Sequence, residues 1–326
     1  MLLKSKIILS LSLVVLATSG CSSSDDSNNT ILPPTDPSVP INPTAPVTNF
    51  SHVTKVFEFK PAYGQFTNKL PKYEPGDTEQ DMIKKALNYV SGKNPSVVSL
   101  GAFGGYIVVG FDSPILNVEG FRDFRVLGNA FENNAEPGII MVAYDKNGDG
   151  IPNEDEWYEI KGSGHSLMGT IQNYEITYYK PEKDKDNKTG DFEEYVEWSD
   201  NQGNKGWKPK LNYHTQSYFP EWVKEQSISF KGTKLPDHAI QGTNSHWKLP
   251  SYEYGYADNL PNDNKNSTID ISWAVDKKGN PVKLPHINFI KVYTGVSQQA
   301  GWLGEVSTEF GGIVNLHSTK EFIPNK

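Results

Sequence analysis

Short apolar runs separated by turn residues dominate the sequence from residue 51 onward. The runs are rich in Val, Ile, Tyr, Phe and Trp, and they are separated by Gly, Pro, Asn or Asp, a pattern typical of β-strands. The predicted strands lie in "SVVSLGAFGGYIVVGFDSPI", "DFRVLGNAF", "GIIMVAYD", "EWYEIKG", "YEITYYK", "SISFKG", "YEYGYAD", "IDISWAVD" and "INFIKVYTGV". Strands do not alternate with helices, so we predict an all-β fold over residues 51–326: an antiparallel, two-sheet, jelly-roll-like sandwich.

One segment, "GDTEQDMIKKALNYVSGKNP" (76–95), predicts a helix instead. Thr78 is placed to cap its first turn, which carries acidic residues, and Gly92 follows its end. One face of this helix would be apolar and comprises Met82, Ile83, Ala86, Leu87 and Val90. We therefore expect one or two short helices beside the sheets.

The first twenty residues have the features of a signal peptide. Lys4 and Lys6 precede an apolar run that is too short to span a membrane permanently. The only cysteine, Cys21, follows directly and has no partner for an internal disulfide. "TSGC" resembles a bacterial lipoprotein box, which implies cleavage before Cys21 and lipidation of that residue. Ordinary secretion with a free thiol is the alternative.

Residues 21–50 predict a tether. "SSSDDSNN" (22–29) resembles the surface-export signal of Bacteroidetes lipoproteins, which implies an anchor in the outer membrane facing the cell exterior; a solvated spacer is the alternative. Residues 30–50 are rich in proline and almost uncharged, so they favour an extended, semi-rigid stalk. The sequence thus predicts a folded domain held away from the membrane.

Composition narrows the partners. The chain carries a net charge of −8 and shows no basic stripe, which argues against a nucleic-acid partner because phosphate binding depends on clustered Lys and Arg. An acidic protein favours cations instead.

The most specific chemical signal is "DKNGDGIPNEDE" (145–156). It matches the ligand spacing of a twelve-residue calcium loop, with Gly150 at the sharp turn. The predicted oxygen ligands are Asp145, Asn147, Asp149, the carbonyl of Ile151, Asn153 and Glu156. The flanks predict strands, so we expect a structural calcium site in a hairpin rather than a helix–loop–helix sensor. A metal-free turn built by Asx residues and glycines is the alternative.

Catalytic motifs are weak. The seven histidines include no pair with the helical spacing of a zinc protease site, and "GSGHS" (162–166) lacks the spacing of a serine hydrolase. A glycosidase needs two carboxylates facing one cleft, and sequence does not show which acids do so. The candidates are Asp123, Glu132, Glu136, Glu193, Glu194, Glu221 and Glu253.

Aromatic residues in the polar middle third of the globular part suggest ligand binding. Rings on loops rich in Asn, Gln and Asp can stack on a sugar or another flat ligand, although packing in the core is the alternative for each ring. The candidates are Trp198, Trp207, Trp222, Trp247 and Tyr213.

Several stretches resemble one group of Bacteroidetes cell-surface lipoproteins. They include "VSLGAFGGYIVVGFD", "DFRVLGNAFENNAEPGIIMVAYDKNGDGIPNEDEWYEIKGS", "NYEITYYKP", "HTQSYFPEW", "GYADNLPND", "DISWAVDKKGNPVKLPHINFIKVYTG" and "GWLGEVSTEFGG". The resemblance runs through nearly all of the globular part. It implies a β-sandwich surface protein in organisms that import large nutrients through outer-membrane transporters, and it carries no catalytic residues.

Together these features favour a binding module over an enzyme. We expect a calcium-stabilised surface lipoprotein that captures a glycan, or a corrinoid or other cofactor, for outer-membrane uptake beside a transporter. A glycan-cleaving hydrolase using a carboxylate pair is the main alternative, and a structural or adhesive surface protein is a further one.

Overall fold

The computed structural model of the protein describes residues 50–186, 192–243 and 246–325. The predicted signal peptide, the lipidation site at Cys21 and the stalk up to residue 49 lie outside the described residues, so they stay predictions. In the described part, no helix is long and apolar enough to cross a membrane.

Strands and short helices follow one another along the described chain. The strands are β1 (Phe50–Ser51), β2 (Lys55–Lys60), β3 (Gly92–Lys93), β4 (Val98–Ser99), β5 (Tyr106–Leu116), β6 (Phe124–Leu127), β7 (Gly138–Ala143), β8 (Trp157–Ile160), β9 (Ile171–Tyr179), β10 (Phe192–Asp200), β11 (Lys205–Lys210), β12 (Ser227–Lys234), β13 (Ile240–Gln241), β14 (Trp247–Lys248), β15 (Thr268–Ile269), β16 (Ala274–Val275), β17 (His286–Thr294), β18 (Glu309–Phe310) and β19 (Gly312–Asn315). The α-helices are α1 (Glu79–Val90) and α2 (Lys183–Asp186), and the 3-10 helices include Glu154–Glu156, Ser163–Ser166, Lys265–Ser267, Ile271–Trp273 and Gly301–Leu303.

A six-stranded antiparallel sheet, in the order β16-β8-β7-β17-β5-β2, forms the centre of the fold. One face packs against the four-stranded sheet β11-β10-β9-β12, and the other faces α1 and the three-stranded sheet β15-β6-β19. The alternation of β7 explains this arrangement, because successive side chains of a strand point to opposite faces. Ile139 and Met141 pack in the core shared with the four-stranded sheet, whereas Ile140 and Val142 pack in the core shared with α1 and the three-stranded sheet.

The predicted helix is confirmed, and so is its start. Thr78 and Asp81 form a capping box: the Asp81 N–H donates to Thr78 Oγ1 at 3.3 Å, and the Thr78 N–H donates to Asp81 Oδ2 at 3.1 Å. Met82, Ala86 and Val90 are fully buried, so the apolar face covers the core as its spacing predicts.

The all-β antiparallel sandwich is confirmed, although two local predictions were wrong. "YEYGYAD" forms no strand, because Gly255 lies against Gly162, where an added Cβ would come within 2.4 Å, and Asp258 adopts a left-handed φ of 49°. "IDISWAVD" is broken by a 3-10 turn, which Asp270 caps by accepting the Ser272 N–H at 2.7 Å.

Sequence analysis also missed the hairpin formed by β10 and β11. Exposed charged residues such as Glu197 and Lys205 interrupt its few apolar residues, so neither strand stands out as an apolar run. Asp200 closes the turn by accepting the N–H groups of Gln202 and Asn204 at 3.0 and 2.8 Å.

Candidate functional site

A cavity of about 250 Å³ lies among four segments of the chain. The first segment contributes Gln65, Phe66 and Leu70. The second contributes Leu249, which directly follows β14. The segments 129–136 and 300–309 form the rest of the wall. Three acidic side chains line it: Glu136, Glu305 and Glu309.

Gln65 ties two of these segments together. Its N–H donates to Glu305 Oε1 at 2.6 Å, and its side-chain Nε2 donates to the carbonyl of Leu303 at 2.8 Å. The turn at 301–303 closes on itself, because the Ala300 N–H donates to the carbonyl of Gly304 at 2.8 Å. The acid at 305 is thereby held at the cavity by contacts distant in sequence.

Glu136, Asp258 and Glu309 form a tight cluster of acids, the acid cluster, at one side of the cavity. One carboxylate oxygen of each lies within 4.8 Å of the others, a spacing that no other group of three His, Cys, Asp or Glu residues reaches among the described residues. Glu136 precedes β7 and Glu309 begins β18, so the cluster depends on tertiary structure and not on a local motif.

Asp258 joins three segments of backbone. Its Oδ1 accepts the N–H groups of Asn129 and Ala130, each at 2.8 Å, and its Oδ2 accepts the Glu309 N–H at 2.9 Å. Gly128 leaves room for this contact, since an added Cβ would lie 2.4 Å from Asp258 Oδ1. This carboxylate therefore serves mainly to position the two wall segments.

Ser307 connects the other two acids. Its N–H donates to Glu136 Oε1 at 3.0 Å, and its hydroxyl lies 3.2 Å from Glu309 Oε1. The same hydroxyl oxygen accepts the Gly101 N–H at 3.0 Å and lies 2.8 Å from the Ser99 hydroxyl. An oxygen of Glu136 and an oxygen of Glu309 lie within 4.8 Å of each other, so a proton held by either carboxyl reduces the repulsion between them.

Burial makes these carboxyls weak acids. It raises the pKa of Glu136 to about 7 and, with the nearby charge of Glu136, the pKa of Asp258 to about 8. Burial and the two neighbouring acids raise the pKa of Glu309 well above its usual range. Burial also raises the pKa of Glu305 to about 7, although Lys208 lowers it in part.

Access to solvent differs within the cluster. Asp258 and Glu309 are only 3% and 4% exposed, whereas Glu136 is partly exposed through the cavity that it lines. None of the ion pairs in the described part of the chain involves any of the three. The arrangement can share protons near neutral pH, accept hydrogen bonds from a ligand, or balance a cation.

The predicted calcium loop adopts a compact turn held by its own polar groups. Asp145 accepts the N–H groups of Gly148 and Gly150 at 2.8 and 2.9 Å, and Asp149 Oδ1 accepts the Ile151 N–H at 2.8 Å. Glu156 accepts the N–H of Lys146 at 2.8 Å, which closes the loop.

Three of the oxygens predicted as ligands, from Asp149, Ile151 and Glu156, lie around the side chain of Asn153. The side-chain nitrogen of Asn153 lies 3.2 Å from Asp149 Oδ2, 3.1 Å from the Ile151 carbonyl and 3.5 Å from Glu156 Oε2. Its amide oxygen and nitrogen are exchangeable by a rotation, which would turn the oxygen inward. The loop acids are not as closely grouped as the acid cluster, so calcium would have to draw them together, and the calcium site stays a prediction.

The predicted aromatic residues occupy different environments. Trp222 is buried and stacks on Phe59, with ring centroids 6.1 Å apart. Trp198 and Trp247 are half-buried, and Trp247 packs against Gly301 beside the cavity wall. Trp207 and Tyr213 are 42% and 68% exposed.

Of the seven acids predicted as hydrolase candidates, Glu136 lies at the cavity. Asp123 is buried elsewhere, 2.8 Å from His317 Nε2, and the other five are exposed. Sequence analysis missed Glu305 and Glu309. Their one signal was the placement of two acids in "GEVSTEFGGIV", next to apolar residues that predict burial.

Comparison with known proteins adds no assignment: no family model matches the chain, and no curated protein matches it significantly.

Proposed function

We propose that this protein is a surface-anchored binding lipoprotein and that the cavity is its ligand site. The observation that supports this proposal is that the cavity is lined by both apolar and polar side chains. The apolar side chains of Phe66, Leu70 and Leu249 line it together with the amides of Asn129 and Asn134 and with three carboxyl groups. Such a combination buries a ligand body while a few polar groups fix its orientation.

The size of the cavity limits the ligand. About 250 Å³ is slightly below the usual range of small-molecule pockets, roughly 300–1,000 Å³. A single sugar ring fits this space, so a glycan end is the first ligand class. A corrinoid macrocycle is larger, so only one of its substituents would enter. Corrinoids and other cofactors therefore come second.

Two exposed aromatic residues favour a ligand that extends beyond the cavity. Phe131 is 62% exposed and, in the sequence, falls between Asn129 and Asn134, which line the cavity. Trp302 is 51% exposed and lies between Ala300 and Leu303, which also line the cavity. Flat rings at these positions would stack on further units of a glycan.

The cellular setting of the proposal comes from the sequence. Lipidation of Cys21, export to the outer face of the outer membrane and a calcium ion in the loop 145–156 all belong to it. The resemblance to Bacteroidetes surface lipoproteins supports a role in passing the ligand to an outer-membrane transporter.

Blocking the cavity tests this proposal. Asn129 is exposed at the cavity wall, so N129W fills the entrance without disturbing the core, and E132W is a matched control on the same segment. Detergent-solubilised full-length protein is titrated by calorimetry with oligosaccharides and cobalamin, with and without chelator. We expect N129W to weaken binding at least tenfold and E132W to leave it unchanged; equal loss in both variants, or binding insensitive to N129W, would refute the cavity as the site.

A second candidate, a glycan-cleaving hydrolase, is favoured by one observation. Glu136 and Glu305 line the same cavity, and burial raises the pKa of each to about 7, which suits a general acid at neutral pH. Release of reducing sugar from a bound glycan, abolished by E136Q without loss of binding, would establish this function. Binding without turnover in the wild type would exclude it for that glycan.

A further inference from the structure

We propose that the ligand group entering the cavity carries a primary ammonium on a small, partly apolar body. This inference rests on the proposed function, because it names the chemistry of the ligand that the cavity would hold. An amino sugar with a free amine is one such ligand.

The charges of the wall point to a cation. Glu136, Glu305 and Glu309 line the cavity, and the described lining residues include no Lys, Arg or His. Lys208 offsets Glu305 in part, but its own pKa falls to about 8 through burial. A positively charged group would therefore gain more from this wall than a neutral one.

A divalent ion fits the acid cluster less well than an ammonium group. Asp258 already accepts three backbone N–H groups, so Glu136 and Glu309 are left to bind a ligand. Two side chains fall short of the six to eight oxygens that calcium takes. The cavity is also much larger than an ion, and its apolar residues would cover an organic body.

Distances in the acid cluster match N–H···O hydrogen bonds. An oxygen of Glu136 and an oxygen of Glu309 lie within 4.8 Å of each other, so a single nitrogen can lie about 2.8 Å from both, the separation typical of an ammonium–carboxylate contact. An ammonium group donating to Glu136 and Glu309 would take the place of the proton that burial and the neighbouring acids keep on Glu309. That proton would pass to solvent, leaving both carboxylates ionised against the bound cation.

Matched pairs of probes test this inference. Glucosamine and glucose share one body, as do cyclohexylamine and cyclohexanol, and each pair differs by an amine in place of a hydroxyl. We expect the amine to bind at least tenfold more tightly in one pair or both, in calorimetric titrations of the full-length protein at neutral pH with concentrations to about 10 mM. Titrations in two buffers of different ionisation enthalpy should show proton release with the amine and none with its alcohol.

Variants locate the effect. E136Q changes a partly exposed side chain, so it should fold, and it should remove most of the amine preference and the proton release; E132Q, on the same segment but exposed, should keep both. Should E136Q fail to fold, E309Q provides the same test at the other carboxyl of the pair.

The outcomes separate this inference from the proposed function. Absence of any amine preference in both pairs, including absence of binding, overturns the inference. If glucose or an oligosaccharide still binds and N129W blocks it, the binding function stands. An amine preference that survives both E136Q and N129W places the amine elsewhere and overturns the inference, as does displacement of the amine by calcium in a variant that lacks the loop acids.

Discussion

The loop at 145–156 and the acid cluster at the cavity use carboxylates in opposite ways. The loop draws its acids from twelve consecutive residues, exposes most of them and bonds them to its own N–H groups. Hydrogen bonds from the Ile151 N–H and the Asn153 amide lower the pKa of Asp149, so that acid stays ionised. The cluster gathers Glu136, Asp258 and Glu309 from distant segments, and burial raises the pKa of each.

Because of this difference, the loop and the acid cluster suit different ligands, a metal ion and an organic group. A loop whose acids follow one another in sequence at a solvated turn could be drawn together around calcium, which takes oxygen ligands at mixed distances. Buried acids that share protons favour a ligand that brings its own hydrogen-bond donors. In the proposed function, the same residue type would hold a structural ion in one place and recognise an organic ligand in the other.

The largest expected effect is loss of stability at Asp258. D258A leaves three backbone N–H groups without an acceptor in a buried site, so we expect the free energy of unfolding to fall by about 3–6 kcal/mol. Urea denaturation measures the change, and D263A, at a nearby exposed acid, should lie within about 0.5 kcal/mol of wild type. Equal stability of the two variants would show that Asp258 does not position the wall.

The next effect is on the pH dependence of stability. Because the folded-state pKa values in the acid cluster lie above the unfolded value of about 4.3, the cluster binds more protons in the folded state between roughly pH 4.5 and 8, and its contribution to stability falls as pH rises through that interval. Burial lowers the pKa of His52, His214, His238 and His286, which contribute in the opposite direction, so the effect of the cluster is measured as the difference between wild type and a variant. E309Q removes one of these titrating groups, so we expect it to lose less stability than wild type across the interval. Denaturant titrations at several pH values measure both slopes.

E132Q controls for this change, since Glu132 is exposed on the segment that leads to Glu136. Its slope should match that of the wild type. An E309Q slope equal to that of the wild type would contradict the account of the cluster.

The smallest effect is at the loop. Calcium at ten times its dissociation constant should raise the melting temperature by about 2–4 °C, and D149N should weaken calcium binding at least tenfold. D276N is a matched control: Asp276 caps a similar turn through the N–H groups of Lys278 and Asn280, at 2.8 and 2.9 Å, outside the calcium motif. The loop would be a metal-free turn if chelator left the melting temperature of the wild type unchanged.

Sequence pattern predicted those features that depend on neighbouring residues. The Thr78 cap of α1, the apolar strands β7 and β17, and the all-β class follow from local spacing, and they are confirmed. The β10–β11 hairpin was missed because its outer face is polar, and "YEYGYAD" was wrongly assigned because a close glycine contact overrides its strand propensity.

The candidate site was less accessible to sequence reasoning. Glu136 was one of seven equivalent acids, and nothing in the spacing of residues 136, 258 and 309 shows that they meet. Their meeting depends on strand register and on the left-handed conformation of Asp258, which only tertiary structure determines. The loop, in contrast, could be recognised from the sequence because all its predicted oxygen ligands lie within twelve consecutive residues.

A crystal structure of the protein grown with calcium and glucosamine tests the contrast between the two acidic regions most directly. The account predicts calcium density among Asp145, Asp149 and Glu156, and the sugar in the cavity with its amine at Glu136 and Glu309. Calcium bound at Glu136, Asp258 and Glu309, with the loop unchanged and the cavity holding only water, would contradict it.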